Sequence, residues 1–130
     1  MKECRCVKSI NQLIKLYGNE LIWPTMAASL LNVSVSRLKM LHEHPRIPLE
    51  EDFQNRSGRK MYLISNIVDY ARIRRKDLLS QTRNLKNVIA VTDKEIVEIF
   101  NDLIRHGEAR FYMRAEYTPK AKKNAHQKTK

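Results

Sequence analysis

The sequence predicts a mainly α-helical fold with small β elements. Apolar residues recur three and four positions apart in several segments, which is the spacing that gives a helix one buried face. The turn-forming stretch Asn55-Arg56-Ser57-Gly58 lies between apolar flanks and predicts a short hairpin. With 130 residues, of which 42% are hydrophobic, the chain is long enough for one compact domain or for one small domain with an extension.

The first predicted helix covers residues 7–17, where Val7, Leu13 and Tyr17 lie on one face. Gly18 is a natural end for this helix, because glycine commonly follows the last helical residue. We interpret residues 1–21 as an N-terminal packing helix that covers the core of the domain.

The stretch WPTMAASLLNVSVSRLKML, from Trp23 to Leu41, predicts two short helices joined by a turn. Pro24 suits the first turn of a helix, where its missing N–H costs nothing. Asn32 tolerates the left-handed conformation that the turn needs, and Ser34 is a good N-cap for the second helix. The predicted inward positions are Met26, Ala27, Leu30, Leu31, Val33, Leu38 and Leu41. This is a helix-turn-helix pattern in which the outer face of the second helix is small, polar and basic.

A basic hairpin and a basic helix follow. The segment from Asp52 to Leu63 predicts a hairpin whose tip carries Arg56, Arg59 and Lys60 and no acidic residue. Ser65 is then expected to cap a helix that runs to about Leu79. Its second half carries the cations Arg72, Arg74, Arg75 and Lys76. Cations near a helix C-terminus also stabilise the helix dipole, so this cluster has a structural explanation as well.

Residues 80–118 form a predicted extension of one helix and one strand. Thr92 begins a capping box with Glu95, and the amphipathic helix that follows ends at Gly107. Residues 109–117 alternate apolar and polar side chains and predict a half-buried strand. The last segment, 119–130, holds five lysines and no acidic or aromatic residue, so we expect a disordered basic tail.

The charge balance narrows the classes of partner. Twenty-five Lys and Arg against fourteen Asp and Glu give a net charge of +11 and a pI near 9.9. Such a surplus attracts polyanions, so the candidates are nucleic acid, an anionic membrane or an acidic protein; a charge that serves only solubility is the alternative. No apolar run approaches the roughly 18 residues of a membrane span, and the N-terminus lacks the apolar core of a signal peptide. We therefore expect a cytoplasmic, nucleoid-associated protein with no membrane partner.

Neither a metal, nor a cofactor, nor an enzymatic activity is expected. Cys4 and Cys6 are too close in sequence for a structural disulfide of any size, and the histidines lack metal-ligand spacing. The sequence has no Gly-rich phosphate loop and no Ser/His/Asp or Cys/His arrangement in a suitable context. The carboxylates at 50–52 form a run on a loop, which is more typical of a solvated surface than of a nuclease metal cluster.

Taken in order, these elements resemble the excisionase and phage-regulator group of MerR-like winged helix-turn-helix proteins. That group shows a Thr-x-x-x-Ala-Ala-x-x-Leu-x-Val-Ser helix and turn, a Pro-containing loop, a Gly-Arg wing, and a helix rich in aromatic residues and Arg. The positions that fit approximately are Thr25, Ala28, Leu31, Val33, Ser34, Pro45, Pro48, Gly58-Arg59, Tyr62 and the helix from Ile67 to Arg75. The likeness covers roughly residues 22–75 and implies a winged helix-turn-helix domain over residues 22–79.

The resemblance implies a sequence-specific double-stranded DNA-binding protein of a phage, plasmid or integrative element. Its role would be that of a transcriptional regulator or of an excisionase-like factor that sets the direction of recombination, with a recombinase or RNA polymerase as further candidate partners. The predicted major-groove contacts are Ser36, Arg37, Lys39 and Met40. The predicted minor-groove contacts of the wing are Arg56, Arg59 and Lys60. The predicted phosphate contacts are Arg72, Arg74, Arg75 and Lys76.

Other functions stay open from sequence. The extension 80–118 caps the winged domain, pairs with a second copy of the chain, which would double a short half-site, or offers a second nucleic-acid surface through Arg110, Tyr112 and Arg114. The whole protein is alternatively an RNA-binding or translational regulator, or an adaptor that docks on another DNA-binding protein. Neither the DNA sequence recognised nor the direction of regulation follows from these residues.

Overall fold

The computed structural model describes residues 5–54, 58–81, 90–112 and 118–119. Over these residues the chain forms five helices and four short strands, a mainly helical fold with a small antiparallel sheet. The helices are α1 (Ile10–Tyr17), α2 (Pro24–Leu31), α3 (Val35–Leu41), α4 (Ile64–Gln81) and α5 (Asp93–Arg105). The strands are β1 (Leu21–Ile22), β2 (Phe53–Gln54), β3 (Lys60–Leu63) and β4 (Thr118–Pro119).

The turn between α2 and α3 has the conformation that the sequence predicts. Asn32 adopts the left-handed region, with φ 58° and ψ 44°, and Val33 N–H donates back to the Ala28 carbonyl oxygen at 3.0 Å. The Ser34 hydroxyl accepts from the backbone N–H of Arg37 at 3.0 Å and caps α3. Pro24 occupies the first turn of α2, as expected. These local bonds orient α3 across α2.

The sheet is larger than the predicted two-stranded hairpin. The hairpin itself is confirmed, because β2 and β3 pair antiparallel with Phe53 opposite Met61. On its other edge, β3 pairs with β1, with Leu21 opposite Leu63. On the edge that faces away from β3, β2 pairs with β4. The strand order is therefore β1-β3-β2-β4, and β1 joins the hairpin to the chain that enters α2.

One hydrophobic core contains buried residues from all five helices. Leu13 of α1, Leu30 of α2, Ile67 of α4 and Ile96 of α5 have no exposed surface. The ring of Tyr17 packs against the ring of Phe100 with centroids 5.0 Å apart. The apolar face of α5 packs against this chain, as expected if the extension caps the rest of the domain. Dimerisation itself stays a prediction.

The predicted start of the fourth helix is wrong. Helix α4 begins at Ile64, so Ser65 is helical instead of being its N-cap. The first N–H groups of α4 are satisfied by tertiary partners, since Ile64 donates to the Glu20 carbonyl and Ser65 to the Gly18 carbonyl. Glycine at position 18 ends α1 as predicted.

The predicted strand over residues 109–117 is not formed in its described part. Residues 109–111 have no regular structure, and Tyr112 makes one isolated bridge to Leu21. Residues 113–117 lie outside the described residues. Pro119, which was assigned to the disordered basic tail, is instead part of β4 and lies opposite Phe53; residues 120–130 of that tail are not described.

A buried asparagine holds the N-terminal segment to α5. The side-chain oxygen of Asn101, Oδ1, accepts from the Val7 N–H, and the side-chain nitrogen, Nδ2, donates to the Val7 carbonyl oxygen, both at 2.8 Å. Val7 and Asn101 are 3% and 9% exposed, so the two backbone groups have been removed from water. Each would be left without its partner if the amide were lost.

We expect Asn101→Leu to lower the free energy of unfolding by about 2–4 kcal/mol, because two buried backbone groups lose their hydrogen bonds. Chemical denaturation followed by circular dichroism measures the change. The control is Glu98→Gln, on an exposed position of the same helix, which should stay within about 0.5 kcal/mol of the wild type. An Asn101→Leu variant as stable as this control would contradict the assigned hydrogen bonds.

Candidate nucleic-acid interface

The outer face of α3 carries all four predicted major-groove residues. Leu38 and Leu41 are 1% and 3% exposed and point into the core, which directs the intervening positions outward. Met40 is 61% exposed, an unusual position for a large apolar side chain. The exposed set on this face is Ser36, Arg37, Lys39 and Met40. Their exposure follows from the helical spacing, as the sequence predicts.

A cleft of about 590 Å³ separates α3 from the β2–β3 hairpin. Lys39 lies on the α3 side, and Arg59 and Lys60 lie on the hairpin side, against a single carboxylate from Glu43. The remaining lining residues are Pro24, Thr25, Val35, Leu38, His42, Gly58 and Tyr62. Within its described lining, the cleft therefore combines a positive rim with a largely apolar floor.

The floor of this cleft is braced by a polar network. The Tyr62 hydroxyl is 2.5 Å from His42 Nε2 at the C-terminal end of α3. The opposite nitrogen, His42 Nδ1, is 4.0 Å from a carboxylate oxygen of Glu51, which is 4% exposed. Burial raises the pKa of the Tyr62 hydroxyl, and the negative charges of Glu51 and Asp52 raise it further. The neutral phenol therefore stays in place and ties β3 to α3.

A second brace fixes the hairpin to α4. The Asp52 carboxylate accepts from the backbone N–H of Leu63 and from the side-chain amide of Asn66, both at 2.9 Å. Gln54 donates to the Glu51 carboxylate at 2.8 Å. The run of acids at 50–52, predicted to be a solvated loop, thus has two of its members in structural hydrogen bonds.

An aromatic and cationic stack lies beside the cleft. The indole ring of Trp23 stacks on the ring of Tyr112, with centroids 4.8 Å apart and an interplanar angle of 9°. The guanidinium carbon of Arg59 lies 4.4 Å from the Trp23 ring centroid. This stack, Arg59–Trp23–Tyr112, was missed from sequence. The signal in the sequence that could have indicated this stack is the position of Trp23, directly before Pro24.

The four predicted phosphate contacts on α4 do not share one exposed surface. Arg72 forms an ion pair with Asp93 at the start of α5, with a shortest distance of 3.1 Å. Arg75 donates to the Ala90 carbonyl oxygen at 3.5 Å. Arg74 is 9% exposed, and burial lowers its pKa, with a further lowering from the positive charge of Arg37. Lys76 is exposed.

The loop after α3 is fastened to α4 by residues that the sequence did not single out. Arg46 forms a two-pronged pair with the Asp77 carboxylate, through Nη2 at 2.9 Å and Nε at 3.3 Å. The Tyr70 hydroxyl donates to the Ile47 carbonyl at 2.8 Å. These bonds hold the loop with its two prolines close to the buried Arg74.

Of the three predicted wing cations, Arg59 and Lys60 are exposed and Arg56 lies outside the described residues.

Within the described residues, no group of three or more His, Cys, Asp or Glu side chains is arranged to hold a metal ion. Among the helices described, none combines the length and the apolar character needed to cross a bilayer. Comparison of the chain with protein-family models, curated proteins and solved structures found no significant match.

We expect Tyr62→Phe to lower stability at neutral pH by about 1 kcal/mol, because His42 loses its hydrogen-bond partner. The folded pKa of Tyr62 is raised, so its contribution is complete below the unfolded tyrosine pKa of about 10 and is lost as pH rises above that value. The wild type and the variant should therefore converge in free energy of unfolding above about pH 10.

Urea denaturation across pH 7 to about pH 11 measures both curves. The difference between them isolates Tyr62 from the other tyrosines, which are common to both proteins. Parallel curves over the whole range would show that ionisation of Tyr62 is not linked to folding.

Proposed function

We propose that this chain is a sequence-specific double-stranded DNA-binding protein with a winged helix-turn-helix architecture. The observation that carries the proposal is the exposed polar and basic face of α3 beside a cleft whose opposite wall also carries cations. In this arrangement α2 braces α3, and the β2–β3 hairpin is the wing. The family likeness seen in the sequence, to MerR-like excisionases and phage regulators, gives the proposal its biological direction.

The dimensions of α3 suit a groove of duplex DNA. An α-helix with its side chains is about 10–12 Å in diameter, which fits the B-DNA major groove, about 12 Å wide. Arg37 can donate two hydrogen bonds to guanine O6 and N7, and Ser36 can serve either a donor or an acceptor. Met40 offers an apolar surface of the kind that contacts a thymine methyl group.

The cleft then accommodates the sugar-phosphate backbone that separates the two grooves. Lys39 on one wall and Arg59 and Lys60 on the other face that strand. Arg59 and Lys60 extend toward the minor groove, where negative potential favours arginine. On α4, Lys76 is the exposed candidate for a phosphate, whereas the nearly buried Arg74 supplies positive potential behind Arg37.

The biological role in this proposal is regulation in a phage, plasmid or integrative element, within the cytoplasm. Binding would repress or activate transcription, or set the direction of recombination, according to where the site lies and which larger enzyme shares it. A second copy of the chain, a recombinase and RNA polymerase are the candidate partners for such a role.

The first test is selection of binding sites from a random duplex pool at about 150 mM salt, where non-specific binding is roughly 10⁻⁴–10⁻⁶ M. We expect an enriched motif that binds at least tenfold more tightly than random duplex. Structured RNA should compete less well than the selected duplex. Absence of binding to any duplex, or preference for RNA, would reject the proposal.

On the selected site, Arg37→Ala should cost about 1–3 kcal/mol and relax the preference at one base pair. The charge-matched control is Lys15→Ala, on the exposed face of α1, an element outside the α3 face and the cleft. It should leave base preference unchanged. Titrations of both variants on specific and random duplex separate base readout from charge, and an equal loss on both duplexes for Arg37→Ala would remove its assigned role.

A further inference from the structure

Trp23 is placed where the fold alone does not require a large aromatic ring. Its neighbours Ile22 and Met26 belong to the buried core, with exposures of 0% and 5%, whereas Trp23 is only partly buried and lies outside that core cluster. It precedes α2 without making a side-chain capping bond. Its ring contacts side chains from distant parts of the chain, Arg59 and Tyr112.

Tyr112 gives the stack a fixed base. Its backbone N–H donates to the Leu21 carbonyl at 2.9 Å, and the neighbouring Phe111 stacks on Tyr17 with centroids 5.5 Å apart. The segment after α5 is therefore held to β1 and to the core. The Tyr112 ring therefore has a fixed position, lies almost parallel to the indole of Trp23 and limits the rotation of the indole.

Arg59 is at the other end of the stack and also lines the cleft beside α3. A guanidinium stacks on an aromatic ring through its face, whereas it donates hydrogen bonds through N–H groups in its plane. Stacking on Trp23 is therefore compatible with donation to a base or a phosphate. It also restricts a side chain that would otherwise lose much conformational entropy on binding.

We propose that Trp23, supported by Tyr112, is a positioning residue that holds the Arg59 guanidinium ready to contact DNA. The inference rests on the proposed function and adds to it a residue that does not itself touch the nucleic acid. It also gives the segment after α5 a role, because that segment supplies Tyr112, which supports the indole that orients Arg59.

A double-mutant cycle on the selected duplex tests the proposal. Trp23→Leu should weaken binding roughly two- to fivefold, the effect expected from loss of one exposed cation–π contact. In an Arg59→Gln background the same substitution should have almost no effect, because the cation that it positions is gone. Trp23→Phe retains a ring and should recover part of the affinity.

Lys60→Gln is the matched control for the cycle. It removes one positive charge from the position next to Arg59, on a side chain that lines the same cleft. Trp23→Leu should therefore cost the same affinity in the Lys60→Gln background as in the wild type. If Trp23→Leu costs equally in the Arg59→Gln and Lys60→Gln backgrounds, Trp23 acts only on general structure and the proposal is overturned.

The fluorescence of Trp23 gives an independent readout, since the chain has one tryptophan. Arg59→Gln should make the indole more accessible to acrylamide in the free protein, whereas Lys60→Gln should not. Equal quenching in the wild type and in Arg59→Gln would show that the guanidinium does not cover the ring in solution and would overturn the proposal.

Circular dichroism and thermal unfolding check that each variant is folded. Should Trp23→Leu fail to fold, Tyr112→Leu takes its place in the cycle, because it keeps the indole and removes only its support. A wild-type protein that binds no duplex refutes the proposed function. A wild type that binds, combined with additive losses in the cycle, refutes only the positioning role.

Discussion

The left-handed turn at Asn32 determines which residues of the candidate site are exposed. Because φ is positive there, the chain reverses within three residues, and Ser34 begins α3 with its hydroxyl already bonded to the Arg37 N–H. Burial of Leu38 and Leu41 then fixes the rotation of α3 about its axis. If α3 were rotated differently about its axis, Arg37 and Lys39 would be buried and the two leucines would be exposed. The rotation of the helix therefore determines both the buried leucines and the exposed basic face.

The β2–β3 hairpin is held to α3 by polar bonds, whereas α2 and α3 are held together mainly by apolar packing. Tyr62 reaches His42 at the end of α3, and Glu51 lies behind the same histidine with little exposure. Buried polar groups fix a geometry because each loses its partner if the elements shift. The width of the cleft is thereby determined by a few side chains beneath it, and the cations on its two walls keep their separation.

Sequence reasoning succeeded where the cause is local. The turn at Asn32, the cap at Ser34 and the capping box at Thr92 and Glu95 each depend on residues within four positions of one another, and all are confirmed. It failed where the partner is distant in sequence. The alternation over 109–117 predicts a strand, but the described part of that segment packs through Phe111 and Tyr112 onto Tyr17 and Trp23, about ninety residues away. No spacing rule indicates that Asn101 would bond to Val7 or that β1 would pair with β3.

The net charge of the chain indicates a class of partner, but it does not show which surface binds that partner. The distribution of the charges explains why. Several arginines are paired with carboxylates at the surface of the fold, including Arg46 with Asp77 and Arg72 with Asp93, so their fields are largely cancelled beyond a Debye length of about 8 Å. Among the described residues that line the cleft, Lys39, Arg59 and Lys60 carry positive charge and Glu43 carries negative charge. A polyanion approaching the described part of the chain is attracted most strongly where the cations outnumber the acids locally. That excess lies beside the exposed face of α3, which is where selective contacts with bases would be made.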